Sequence, residues 1–240
     1  MSIPQINQNI RKELKNNIDK EYKKRIIRFF KENEKVKFYG VRKPIVKKIA
    51  DSYFKKFIKG KDKKEVFSLC EKLLNSDYDE EKHIAFDWTF KLKDQYKKRD
   101  FIIFEKWLKK YITNWASCDD FCMHAFGYFL YLFPETSLKI KKWSNSENRW
   151  LKRASAVIFI YSIRRGKYLE EIFNIADKLL QDKDDLVKKG YGWALKEASN
   201  VYQEEVFDFI IKRKNKIPRT ALRYAIEKMP EEKRKKAMSL

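Results

Sequence analysis

The chain has 240 residues, 43% hydrophobic and 15% aromatic, which is enough apolar material for a sizeable folded core and excludes a disordered basic tail. Lys and Arg number 56 against 34 Asp and Glu, a formal charge of +22 that favours a polyanionic partner, nucleic acid first. Six Gly and five Pro argue against sandwiches, barrels and Gly-rich phosphate loops, and three Cys cannot complete a disulfide framework.

The opening Met1-Ser-Ile-Pro4 is polar and lacks the apolar core of a signal peptide. Residues 1–60 are expected to form an N-terminal helical cap, with Pro44 at a helix start and Gly60 in the closing turn. From 61 to 240 the chain reads as tandem helix pairs. The first is expected near 62–76 and 79–97, the second near 100–113 and 115–132, the third near 135–143 and 147–164. Two more follow near 168–181 and 184–199, then 202–214 and 218–228. The apolar spacing is three or four in Phe101, Phe104, Leu108, Tyr111 and Ile112, and again in Leu169, Ile172, Phe173, Ala176, Leu179 and Leu180. No segment alternates with period two over a useful length. Pro134, Pro218 and Pro230 sit where helices stop or begin, and Gly166 falls in a turn. The longest aromatic-aliphatic run, Phe121 to Phe133, contains His124 and is too short to span a bilayer, so a cytoplasmic protein without membrane contact is expected.

The pairs carry a loose repeat. Lys152-Arg-Ala-Ser-Ala156 resembles Lys188-Lys-Gly-Tyr-Gly192 at an offset of 36, and His83-Ile-Ala-Phe-Asp-Trp88 and Arg219-Thr-Ala-Leu-Arg-Tyr224 share the small-residue centre. Gly190 and Gly192 inside a helix each cost about 1 kcal/mol relative to Ala, so close approach of a neighbouring helix or a ligand is expected there. Two helices per unit and a period in the thirties indicate an all-α fold, an α-solenoid of HEAT-like repeats forming a single domain with a basic concave groove.

Within this frame, Asn114-Trp-Ala-Ser-Cys-Asp119 puts an indole and a carboxylate one helical turn apart. That pair suits a cationic guest or a developing positive charge; the plain alternative is a core Trp beside a cap Asp. The repeat brings Arg153 and Trp193 into comparison with them, from the second helices of the next two pairs. All four would then line one groove. Asp120 competes with Asp119, but the four-residue spacing from Trp115 favours Asp119. Cys118, Cys122 and His124 invite a metal reading, yet the other histidine is His83 and a four-ligand site would need a distant carboxylate; small buried thiols fit better. Trp88 and Trp107 read as core, Trp150 as packing between repeats, and Trp143 as touching DNA or solvent.

Four segments in order resemble the AlkD-like DNA alkylation repair glycosylases, a family of HEAT-like repeat DNA glycosylases. They are Phe38-Tyr-Gly40-Val-Arg-Lys-Pro44, Asn114-Trp115-Ala-Ser-Cys-Asp119, Asn148-Arg-Trp-Leu-Lys-Arg153-Ala and Lys189-Gly-Tyr-Gly192-Trp193-Ala-Leu-Lys196-Glu. The resemblance spans most of the chain. It implies removal of positively charged N3- and N7-alkylated purines from duplex DNA by a monomeric enzyme with no cofactor and no metal. It also implies Trp115, Asp119, Arg153 and Trp193 as site residues. Phosphate contacts are expected from Arg153, Arg42, Lys43, Arg149, Lys152, Lys188, Lys189 and Lys196. The family often has an acidic residue directly after the tryptophan, where this chain has Ala116. A non-catalytic DNA-structure binder on the same solenoid and a protein-interaction scaffold are the alternatives; the first leaves the Trp/Asp/Arg/Trp set unexplained and the second leaves the charge unexplained.

Overall fold

The computed structural model describes residues 3–30, 34 and 36–239; within the expected 1–60 cap, Met1, Ser2, residues 31–33 and residue 35 lie outside the described residues. The helices, in chain order, are α1 (Ile3–Asn16), α2 (Lys20–Ile27), α3 (Lys43–Tyr53), α4 (Lys63–Leu74), α5 (Asp79–Lys91), α6 (Phe101–Tyr111), α7 (Trp115–Met123) and α8 (Ala125–Leu132). They continue with α9 (Ser137–Lys141), α10 (Arg149–Val157), α11 (Ile160–Ile163), α12 (Leu169–Leu179), α13 (Asp185–Ser199), α14 (Gln203–Lys212), α15 (Arg219–Ala225) and α16 (Glu231–Met238). Among the described residues there is no strand; a single parallel bridge joins Lys37 and Tyr78. The architecture is all-α, of the solenoid type expected from the repeat.

The chain divides into two compact units, residues 1–120 and 121–240, with the division falling inside α7. In the first, α4 packs on α5 and α6, and α1 and α3 pack beside them. The three-and-four spacing of α6 becomes a buried face of Phe101, Phe104, Trp107, Leu108 and Tyr111. Trp88 and Trp107 are fully buried, and the Trp88 indole N–H donates to the Ala50 carbonyl at 2.9 Å. In the second unit α13 is central and packs on α10, α12, α14 and α15. Burial of each Leu, Ile or Phe in these faces contributes about 1.5–3 kcal/mol.

Three expected helices end earlier or break, for local reasons. The helix expected over 79–97 stops at Lys91, where the Tyr96 hydroxyl reaches back to the Thr89 carbonyl at 2.8 Å and folds the chain into a 3₁₀ turn. The one expected over 115–132 breaks at His124, whose backbone is non-helical (φ −110°, ψ −89°). That break lays the Cys122 carbonyl against Gly127, where a Cβ would stand only 2.4 Å away, so glycine is required. The helix expected over 147–164 breaks at Ile158–Phe159, where the Phe159 N–H shifts to an i−3 acceptor on Ala156. The α16 helix was not expected: it follows Pro230 and buries only Ala237, so it has almost no apolar period to read. Pro44, Pro134, Pro218 and Pro230 all stand at helix or 3₁₀ starts, and Gly60 and Gly166 take left-handed φ values of 88° and 72°.

Both helical glycines of α13 meet the close approach expected of them. Arg153 packs on Gly190, its Cγ 3.0 Å from where a Cβ would be. Gly192 admits the backbone of α15, with the Ala221 oxygen at 2.7 Å from such a Cβ. Backbone cannot yield cheaply, so Gly192→Ala should lower the unfolding free energy by about 1–3 kcal/mol through overpacking. Helix propensity alone would raise it by about 1 kcal/mol. Urea denaturation decides the sign, and a stabilised variant would show that α13 and α15 can part.

Candidate functional site

Five consecutive ionisable residues open α5, and each reaches a different part of the first unit. Asp79 Oδ1 accepts a hydrogen bond from Asn114 Nδ2 at 3.1 Å. The Glu80 carboxylate accepts three backbone N–H groups, from Tyr39 (3.1 Å), Gly40 (2.8 Å) and Val41 (3.1 Å). Glu81 accepts the Tyr39 hydroxyl at 2.8 Å and the Arg11 guanidinium at 3.0–3.1 Å. Lys82 Nζ donates to the Tyr111 carbonyl at 2.9 Å and the Thr113 hydroxyl at 3.1 Å. His83 Nδ1 meets Asp120 Oδ2 at 2.6 Å. Glu80, Glu81 and Lys82 are all buried. Buried charge is costly unless hydrogen-bonded, and these groups each have two or more such bonds. The acidic first turn also suits the positive end of the helix.

This turn determines how α7 begins. Lys82 holds the 111–113 loop, and Asp79 holds the fully buried Asn114. Asn114 then caps α7, its Oδ1 accepting the Ser117 N–H at 2.9 Å. Trp115 and Asp119 follow on α7, four residues apart on one face and both half-buried. Asp120, the next residue, meets His83. The indole stacks on Phe30, with ring centroids 5.3 Å apart and planes at 16°, and Phe30 tilts against Phe38 at 5.1 Å. An indole and a carboxylate on a fixed helix can stabilise positive charge between them. The sequence reading did not include Phe30 or the Asp79–His83 turn; the signal for the turn was five ionisable residues running directly into the buried Ile84, Ala85 and Phe86.

In the second unit, Arg153 is only 5% exposed, and its guanidinium donates to the Leu186 carbonyl at the start of α13. The same side chain packs under Gly190 and so braces α13. Trp193 is half-buried, its indole N–H donating to Glu197 at 2.9 Å, and Arg164 holds the same carboxylate at 2.9 Å. Asp119 and Arg153 each lie four residues past the start of their helix, while the two indoles take other positions. Trp115 opens α7, Arg153 lies four residues past the start of α10, and Trp193 lies eight past the start of α13. Trp143, expected at DNA or solvent, is buried edge-on to Phe126 at 5.6 Å. Trp150 is buried and carries the Arg149 guanidinium over its ring.

Most of the expected phosphate contacts face carboxylates. Arg42 pairs with Asp19 at 2.8 Å, Arg149 with Asp184, Lys152 with Asp182 at 2.5 Å, Lys188 with Asp185 at 3.9 Å and Lys196 with Glu227 at 3.2 Å. Lys43 is exposed at the start of α3 and Lys189 is half-buried on α13. Partly exposed pairs of this kind contribute about 0–1 kcal/mol, so a phosphate can displace the carboxylates. Cys70, Cys118 and Cys122 are buried free thiols. Among the described residues no group of three or more His, Cys, Asp or Glu side chains could hold a metal, and no helix is long and apolar enough to cross a membrane. A groove of about 820 Å³ on the first unit, floored by Phe67, Ile103 and Trp107, contains none of the candidate residues.

Titration of the turn has a defined sign. Burial lowers the His83 pKa, but the Asp120 hydrogen bond and charge outweigh it and leave the imidazole above its usual 6.5, against an opposing contribution from Lys43. Burial pushes the Asp79 carboxyl up to about 6, opposed by the Asn114 amide and the Lys82 charge. Both groups hold protons more tightly folded than unfolded, so their linkage lowers stability as pH rises. The His83–Asp120 contribution is complete below about pH 6.5 and is lost as pH climbs through the raised folded value. His83→Asn should therefore cost most stability near pH 5.5–6 and progressively less toward about pH 9, read by urea denaturation of both proteins. A cost that grows with pH contradicts the assignment.

A family model described as "DNA alkylation repair enzyme" matches residues 10–229. A solved structure described as a predicted DNA alkylation repair enzyme from Enterococcus faecalis superposes with a TM-score of 0.78 at 14% identity, over 90% of this chain and 98% of that one, which establishes a shared fold. No curated protein matches the sequence. With 220 consecutive residues matched, including the capped α7 and the whole of α13, the chain belongs to the family of DNA alkylation repair enzymes.

Proposed function

We propose that the protein is a monofunctional DNA glycosylase that hydrolyses the N-glycosidic bond of positively charged N3- and N7-alkylated purines in duplex DNA. The observation that carries this reading is the Trp115–Asp119 pair on α7, with Asp120 taken by His83 and the helix entry held by Asn114. Family membership places the chain in repair of alkylated DNA, and the charge of +22 suits a duplex partner.

The chemistry follows from the lesion. An N7-alkylated guanine carries a formal positive charge and departs with the glycosidic electron pair as a neutral base. Positive charge then builds on the deoxyribose. The Trp115 face stabilises it by about 0.5–2 kcal/mol, with Trp193 proposed as a second such indole. Asp119 stabilises the same charge and takes a proton from the water that attacks the anomeric carbon. Free base and an abasic site are the products. A carboxylate about 4 Å from the cation is worth roughly 4 kcal/mol at an effective dielectric near 20, about three orders of magnitude in rate. That is useful for a labile cationic base and insufficient for a neutral one. No Schiff-base lysine enters the scheme, so strand cleavage by lyase chemistry is not expected. Arg153 acts through the placement of α13, and Arg42, Lys43, Arg149, Lys152, Lys188, Lys189 and Lys196 are the proposed phosphate contacts.

The test is release of free base from duplex DNA containing N7-methylguanine. The protein should release it, Asp119→Asn should be slower by about 10³-fold, and a neutral damaged base should stay in place. Duplex binding without release by either protein would instead assign the non-catalytic DNA-structure reading, and neither binding nor release would leave only a scaffold.

A further inference from the structure

At the end of α11 the second unit carries a cluster that the proposed site does not use. Tyr128, Tyr131 and Tyr161 pack ring to ring, with centroids 5.6 Å (Tyr128–Tyr161), 5.8 Å (Tyr131–Tyr161) and 6.5 Å (Tyr128–Tyr131) apart. Gly127 makes room for this, since a Cβ there would lie 2.9 Å from that of Tyr161. Over the rings sit two exposed cations. The Arg165 guanidinium lies 3.7 Å from the Tyr161 centroid and donates to the Tyr161 carbonyl at 2.5 Å. Lys167 Nζ lies 4.3 Å from the Tyr131 centroid. Gly166 between them, at φ 72°, and Tyr168 after them, at φ 73°, set the turn, and the Tyr202 hydroxyl donates to the Gly166 carbonyl at 2.8 Å.

We propose that Arg165 and Lys167, held over Tyr161 and Tyr131, form a further phosphate-binding subsite for the duplex backbone. Arg149, Lys152, Lys188 and Lys196 each face a carboxylate that a phosphate must displace. Among the described residues Arg165 and Lys167 make no ion pair. The adjacent Arg164 takes Glu197, and the Trp193 indole N–H takes that carboxylate's other oxygen. A guanidinium stacked on a ring keeps its in-plane N–H edge for a phosphate, and the ring contact has already restricted its rotamers. The same Glu197 bridge ties this turn to Trp193, so the subsite extends the DNA contact outward from the proposed site residue on α13.

This inference rests on the duplex-binding reading, and the experiment separates the two. Duplex affinity is measured against salt for the full-length protein and for Arg165→Ala/Lys167→Ala. Both changes are on exposed side chains, and melting by circular dichroism confirms the fold. The slope of log affinity against log salt should become shallower by about 1–2 if each cation neutralises one phosphate. A matched loss of charge elsewhere, Lys55→Ala/Lys59→Ala, should leave the slope unchanged. Tyr161→Leu, which removes the ring and no charge, should weaken binding, whereas Tyr161→Phe should bind as the parent does. An unchanged slope in the Arg165/Lys167 variant, or an equal change in the Lys55/Lys59 control, overturns the subsite while leaving the duplex reading intact. Failure of the parent protein to bind duplex DNA overturns both.

Discussion

The first unit depends on one buried turn of charge, Asp79 to His83. Its five side chains reach α1, the 39–41 segment, the 111–113 loop, the α7 cap and Asp120. A buried ionisable group that loses its partner costs far more than the pair contributes when intact. The turn therefore acts less as a source of net stability than as a specification of where its neighbours sit. Any shift of α7 along its axis would strand Asp79 and His83 together.

That constraint matters because the proposed chemistry needs only a few groups but needs them in place. A rate gain built from one carboxylate and aromatic faces falls steeply with distance, since both act on charge. Asn114 links the two levels: its amide nitrogen answers to α5 and its amide oxygen starts α7. The second unit uses a different device for a similar end. Gly190 and Gly192 remove side chains so that Arg153 and the α15 backbone can close on α13 from two sides, which fixes the helix carrying Trp193.

Much of this was legible in the sequence, and the failures have physical causes. The periodicity of α6 and α12 located those helices because their apolar faces are buried against neighbours. Trp115 and Asp119 could be placed on one face because i,i+4 spacing is a local property. The breaks at His124 and Ile158–Phe159 were not legible, since apolar period continues across them and only the packing around Gly127 interrupts the helix. Arg153 was expected in the groove, but its sequence position does not reveal that it also reaches the Leu186 carbonyl 33 residues later. The Asp79–His83 turn was overlooked for a related reason. A run of charge at a helix start reads as a solvated face, and only long-range partners show that it is interior.

In the proposed mechanism the buried turn acts on chemistry through the placement of Asp119. The direct measurement is a double-mutant cycle on single-turnover base release from N7-methylguanine duplex DNA, with Asp79→Ala introduced into the parent protein and into Asp119→Asn. Asp79→Ala should slow release by about tenfold in the parent and add nothing once Asp119 is gone. Equal slowing in both backgrounds would contradict it, because the turn would then be acting independently of the Asp119 carboxylate.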